Sequence, residues 1–131
     1  MSTNFTGNVA FMKCATKLVE KGFRVSLPLD NSSPYDLIMD DGSRLFRVQV
    51  KSGSFREGVI RAKTTKLNKI TKVSTKYTKD EVDYFCIFCA DTDGVYLIPF
   101  SDDLPQILYL RVLPVKNNQS YAIRWAKDFQ L

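Results

Sequence analysis

Between Val9 and Lys21 the apolar side chains recur at Phe11, Ala15 and Leu18, with Met12 and Val19 flanking, a spacing that predicts an amphipathic helix. Gly22 follows where a helix C-cap favours glycine. Downstream the apolar period shortens toward two. Phe23 to Leu29, Tyr35 to Met39 and Leu45 to Lys51 read as strands, separated by the turn clusters Asp30-Asn31-Ser32-Ser33-Pro34 and Asp40-Asp41-Gly42-Ser43. The result is an α-β-β-β start whose last two strands form a hairpin. Tyr84 to Ala90 and Val95 to Pro99 predict two more strands around Asp91-Thr92-Asp93-Gly94. Leu108 to Val115 and a C-terminal segment through Trp125 are expected to close the sheet or pack on it.

Composition narrows the class. The chain has 131 residues, 44% apolar, the ordinary size of one domain with its own core, so residues 1–131 are expected to form a single domain. The formal charge of +5 (19 basic minus 14 acidic) is unevenly placed and favours a polyanionic partner. No apolar run approaches the ~20 residues of a membrane helix, and the N-terminus lacks a secretory pattern, so the expectation is a cytoplasmic protein with no membrane partner.

Cysteine and histidine exclude much chemistry. Cys86 and Cys89 form a C-x-x-C, but they sit in the continuous apolar run Tyr84-Phe85-Cys86-Ile87-Phe88-Cys89-Ala90. An odd spacing on a strand points the two thiols to opposite faces, so they are expected to pack rather than bind zinc or exchange electrons. The absence of histidine removes Ser-His and Cys-His nucleophilic sites and most zinc enzymes. Whatever chemistry exists uses carboxylates, amides and lysines.

Those groups converge on the predicted hairpin, where Gln49 follows Asp36 by thirteen residues and Lys51 follows Gln49 by two. On a strand, Phe46, Val48 and Val50 face one way while Arg47, Gln49 and Lys51 face the other, with Gln49 and Lys51 about 6.5 to 7 Å apart. An ion held between Asp36 and Gln49 sits within reach of Lys51. Magnesium takes hard oxygen donors and keeps several waters, so Asp36, the Gln49 amide, the Val50 carbonyl and a DNA phosphate form a workable set. Lys51 then orients the attacking water or neutralises charge on the phosphate. Ser52-Gly53-Ser54 reads as a break that ends the strand at a cleft. Against this, an Asp before a strand is often a turn residue, and a Q-x-K is often a solvated edge.

The strongest nucleic-acid signal lies between Arg61 and Lys79. Arg61, Lys63, Lys66, Lys69, Lys72, Lys76 and Lys79 stand there with no acidic residue, interleaved with threonine and serine hydroxyls that suit phosphate contacts. Lys66, Lys69, Lys72 and Lys76 fall on one helical stripe opposite Leu67, Ile70 and Val73. The threonine density weakens a helix, so the segment is expected to be mobile or partly ordered without DNA. Arg47, Arg56 and Tyr77 are further candidates for base or backbone contacts.

The order of these motifs resembles the PD-(D/E)XK nucleases. It runs from the helix through Gly22-Phe23-Arg24-Val25-Ser26-Leu27-Pro28, Pro34-Tyr35-Asp36-Leu37-Ile38 and Val48-Gln49-Val50-Lys51. Tyr77 to Val82 then leads into Asp83-Tyr84-Phe85, followed by Val95-Tyr96-Leu97-Ile98-Pro99 and Leu110-Arg111 through Lys116-Asn117-Asn118-Gln119. More narrowly it resembles the bacterial, group I intron-encoded homing endonucleases of that fold, which carry Q-x-K where relatives carry E-x-K. The resemblance implies an α/β fold with a restriction-endonuclease-like core, a mixed central sheet flanked by helices. It implies a site-specific endonuclease acting on double-stranded DNA with Mg2+, or Mn2+ in its place, working as a homodimer or homotetramer. Asp36 would be the metal-binding acid, Gln49 and the Val50 carbonyl further ligands, and Lys51 the catalytic lysine.

One position departs from the pattern. The family carries a glutamate on the first helix, and counting forward from Gly7-Asn8 places it at Phe11; Glu20 lies more than two turns away. A single carboxylate lowers the affinity expected for a divalent ion. Phe11 marks either an inactivated or engineered form or a natural relative that binds DNA and cuts poorly, and a core phenylalanine on an amphipathic helix is compatible with both. A Holliday-junction-resolving nuclease and a catalytically silent DNA-binding module remain as alternatives.

Overall fold

The computed structural model describes residues 2–115 and 122–131, so Lys116-Asn117-Asn118-Gln119 lie outside the described residues. Helix α1 (Thr3–Glu20) begins six residues earlier than the apolar pattern indicates, because the Ser2 hydroxyl caps it by accepting the Phe5 N–H at 3.2 Å. It ends at Glu20, with Lys21 as the C-cap and Gly22 following at φ +96°. The stripe that α1 buries is Ala10, Cys14 and Leu18, which leaves Phe11 and Ala15 on its flank, half-buried.

The strands follow as β1 (Arg24–Ser26), β2 (Leu37–Asp40), β3 (Leu45–Arg56), β4 (Val59–Lys63), β5 (Thr65–Leu67), β6 (Ser74–Lys76), β7 (Tyr84–Cys89), β8 (Gly94–Pro99) and β9 (Ile107–Arg111). Seven of them form one sheet in the order β1-β2-β3-β4-β9, with β7 paired to β3 and β8 to β7; β5 and β6 form a separate two-stranded ribbon. The β3–β7 pair is parallel and the other pairs are antiparallel. This is a mixed α/β fold that opens with a helix and three strands, as the sequence pattern indicates. Among the described residues α1 is the one α-helix, and the opposite face of the sheet is closed by strands and the C-terminal segment.

Two apolar layers hold the sheet. Beneath α1 lie Leu37, Met39, Val48, Val50, Cys86 and Phe88. On the opposite side Ile60, Phe85, Ile87, Ile98 and Leu108 pack with Leu104 and Ala126. Cys86 and Cys89 divide between these layers, both fully buried and unpaired, as their odd spacing predicts. No helix among the described residues is long and apolar enough to cross a membrane.

Strand β3 corrects one expectation. Ser52-Gly53-Ser54 does not break it: the strand runs on to Arg56, pairing in turn with β2, β7 and β4. Gly53 is needed because the neighbours come close. A Cβ there would lie 2.7 Å from Ile60 Cγ2 and 3.0 Å from Ile87 Cγ2. The strand then reverses at Glu57-Gly58, both at positive φ, into β4, which the basic pattern had masked.

The basic segment takes a second unexpected form. Its threonines and Val73 favour strand over helix, and Asn68 closes the turn: its Oδ1 accepts Ile70 N–H at 2.9 Å and Thr71 N–H at 3.0 Å. Residues 65–76 therefore form a hairpin ribbon rather than a helical stripe.

Gly53→Ala is expected to lower stability in urea unfolding by about 1–3 kcal/mol, since the two β-branched neighbours have little freedom to yield. An unchanged midpoint would show that the sheet relaxes without cost at this crossing.

Candidate active site

Strand β2 ends just as β3 continues, and this mismatch builds the site. Asp36 precedes β2; its N–H donates to the Val48 carbonyl at 2.9 Å, while its Oδ2 accepts the Val50 N–H at 2.9 Å. A carboxylate thus takes the place of the strand that would otherwise satisfy Val50. The Val50 carbonyl leaves the strand on the same lateral edge as its N–H, toward Asp36. Burial pushes the Asp36 carboxyl above its ordinary range, opposed by the Val50 N–H and by the charge of Lys51.

Lys51 stands on the opposite face of β3 from Val50 and is partly buried. Its Nζ donates to the Thr65 carbonyl at 2.9 Å and to the Tyr77 hydroxyl at 3.2 Å, and lies 5.0 Å from the Tyr77 ring centroid. Burial lowers its basicity and the Asp36 charge opposes that shift. Tyr77 is itself buried edge-on against Phe85, and burial, with Asp36 and Glu81 nearby, pushes its phenol up to about 12. It therefore serves Lys51 as a neutral partner from the root of the ribbon, and is not exposed as a surface contact.

The partners of Lys51 lie fourteen and twenty-six residues away in sequence, one of them a backbone carbonyl. A bare tyrosine after a basic run was the only signal, and it pointed toward the surface.

A cavity of about 530 Å³ opens between the N-terminal half of α1 and the β2–β3 edge, lined by residues that include Asn8, Phe11, Asp36, Val50 and Ser52. Phe11 and Asp36 therefore share one wall system. Gln49 lies on the opposite face from Val50, between Arg47 and Lys51. Asp36 stands where the two faces meet: it lines the cavity, and its charge reaches Lys51 and Tyr77.

The donor set fits a weakly held divalent ion. One carboxylate oxygen of Asp36 is outside the Val50 bond, the Val50 carbonyl shares its edge, and both are hard oxygens of the type magnesium accepts beside water and phosphate. Among the described residues no cluster of three acidic, cysteine or histidine groups stands here or elsewhere.

The remaining candidate residues spread over several elements. Arg56, Arg61 and Lys63 are exposed at the end of β3 and along β4. Lys69 and Lys72 are exposed at the tip of the ribbon, Lys66 pairs with Glu81 at 2.5 Å, and Lys76 reaches the Asp102 carbonyl at 3.4 Å. Arg47 is engaged by Asp83 through Nε at 3.1 Å and Nη2 at 3.2 Å, and by the carbonyls of Lys79 and Asp80. That fork fixes the entry to β7. Burial alone would raise Asp83, but the bonds from Arg47 outweigh it and hold the carboxyl below its ordinary range.

The PD-(D/E)XK endonuclease family model matches residues 1–131. Among solved structures, a bacterial homing endonuclease, I-Ssp6803I, superposes with a TM-score of 0.77 at 21% identity, covering 99% of this chain and 89% of that one, which shows a shared fold. MepB overlaps at a TM-score of 0.39 and 16% identity over 84% of this chain and 85% of that one, too loosely to bear on the fold. No curated protein matches the chain.

Asp36→Asn retains an acceptor for Val50 and removes a carboxylate that burial disfavours. Because the folded-state pKa is raised, this group's contribution is most favourable in acid and is lost as pH rises through that value. The variant is therefore expected to be more stable than the parent at neutral pH in urea unfolding, with the difference shrinking on acidification. A variant that is less stable at neutral pH would contradict this electrostatic account.

Proposed function

Because this chain belongs to the PD-(D/E)XK endonuclease family, we propose that it is a site-specific endonuclease of the homing type, acting on double-stranded DNA as one nuclease-like domain. The observation that carries this reading is Asp36 at the start of β2, which lines one cavity with Phe11 and whose charge reaches Lys51 on the far face of β3, beside a run of exposed basic residues. Two copies bring two such sites to a duplex, so the working form is a homodimer or homotetramer.

The residues divide the work by position. Lys51 is a compact cation held by two fixed acceptors in a partly dry setting, where its charge stabilises a phosphate gaining negative charge more effectively than in bulk water. Asp36 and the Val50 carbonyl at the β3 edge, joined by the Gln49 amide from the far face, would hold Mg2+, or Mn2+. Such an ion polarises a phosphoryl oxygen and lowers the pKa of bound water. Arg56, Arg61, Lys63, Lys66, Lys69, Lys72 and Lys76 supply phosphate contacts that fix the duplex without reading it.

Phe11 sets the rate. It presents an apolar ring to the cavity wall that Asp36 shares, where the family carries a second carboxylate. An ion there would be held by one formal negative charge, which makes slow cutting the expected outcome. The same residue favours a second reading, a DNA-binding module without cleavage.

Lys51→Ala is expected to reduce magnesium-dependent plasmid cleavage about 10²–10³-fold while duplex binding persists. Undiminished cutting by that variant would remove Lys51 from the mechanism. Phe11→Glu is expected to lower the magnesium concentration for half-maximal cutting by roughly tenfold or more. A folded Phe11→Glu protein, checked by circular dichroism, with no gain in cutting would favour the silent module.

A further inference from the structure

The ribbon formed by β5 and β6 carries apolar side chains that it cannot bury. Leu67, Ile70 and Val73 are 57%, 92% and 55% exposed, with Ile70 at the turn. Lys69 and Lys72 flank Ile70 in the turn and are exposed, while Lys66 and Lys76 stand nearer the root, engaged by Glu81 and the Asp102 carbonyl; no acidic residue lies between Arg61 and Lys79 in sequence. A two-stranded ribbon has only one neighbour for each strand, so its side chains face solvent or a partner.

The tip is nevertheless built. Beyond the two Asn68 side-chain bonds, Asn68 N–H donates to the Val73 carbonyl at 3.0 Å and Lys72 N–H to the Asn68 carbonyl at 2.8 Å. Lys72 sits at φ +60°, a conformation a non-glycine residue holds at a cost of about 1 kcal/mol or more. The loop thus presents Ile70 outward on a hydrogen-bonded turn, 92% exposed.

An apolar tip flanked by two exposed cations selects an occupant that is apolar between rows of negative charge. A base step flanked by phosphates has that arrangement, whereas an acidic protein surface offers charge without the apolar slot. We propose that Ile70 is a wedge, inserted between adjacent base pairs of bound DNA while Lys69 and Lys72 hold the phosphates, so that the duplex is unstacked and bent at this point. The inference rests on the DNA-binding reading above and adds how the duplex is deformed.

The ribbon's position gives the wedge a purpose. Thr65, at its first strand, and Tyr77, just past its second, are the residues that hold Lys51. A base step gripped at the tip is thereby fixed relative to the lysine at the root. Bending the duplex around the ribbon turns a backbone segment toward β3.

The test compares binding of an intact mixed-sequence duplex and of the same duplex carrying a central mispair, by fluorescence anisotropy across a salt series without metal. Unstacking is already partly done at the mispair, so the parent protein is expected to prefer that duplex by roughly tenfold. Ile70→Ala should abolish the preference while keeping the salt slope, and Lys69→Ala should weaken both duplexes alike and reduce the slope by about one. Salt-dependent binding with the same preference in Ile70→Ala as in the parent overturns the wedge and leaves the DNA reading standing. Absence of salt-dependent duplex binding in the parent overturns both. A DNA-free dimer, seen by sedimentation and lost in Ile70→Ala, assigns the tip to a contact between copies and overturns the wedge.

Discussion

Strand β3 must satisfy three partners along one unbroken run, and the site inherits its geometry from that constraint. Its first residues pair with β2, its middle with β7 in parallel and its end with β4. Alternation then leaves no freedom in what each side chain faces: Val48 and Val50 go beneath α1 while Gln49 and Lys51 go to the far face. A slip of one residue would exchange the two sets and bury a lysine under the helix. The apolar core thus fixes the register, and the register fixes where the charges stand.

Those charges are held against their preference. Burial raises the Asp36 carboxyl and lowers Lys51, so each is harder to ionise than in water, and each is helped by the other. The two are bridged to the protein separately, Asp36 by the Val50 N–H and Lys51 by Thr65 and Tyr77. Because the pair is not closed into a salt bridge, both groups remain available to a third charged species between them. An ion pair such as Arg47 with Asp83, by contrast, satisfies itself and serves the fold.

Much of this was legible in the sequence, wherever one period held across an element with one buried face. The helix closed off by Gly22, the β2–β3 hairpin, the β7–β8 pair and the opposed cysteines all follow from spacing. Reading failed where local chemistry imitated something else. Ser52-Gly53-Ser54 looks like a turn because glycine is weak in strands, yet Ile60 and Ile87 require it there. Glu57-Gly58 lacks the asparagine or aspartate that flags a tight hairpin, and so β4 was absorbed into a basic run. In the ribbon the lysine spacing suggested a helix while the β-branched residues specified strands. Asp36 and Lys51 were found because their types are chemically distinctive; Tyr77 and Thr65 were not, because only tertiary structure brings them to the lysine.

The cavity beside Asp36 has a wall made of side chains on a helix flank, not of sheet. Phe11 belongs to that flank, while Ala10, Cys14 and Leu18 carry the packing that anchors α1. Phe11 packs against the edge of the apolar layer beneath α1, so a change at position 11 alters contact at the helix flank while the three fully buried positions keep theirs. For descent this places variation in the cavity's lining on the helix flank, where one codon changes the wall beside Asp36 while the fully buried stripe of the scaffold passes on unchanged.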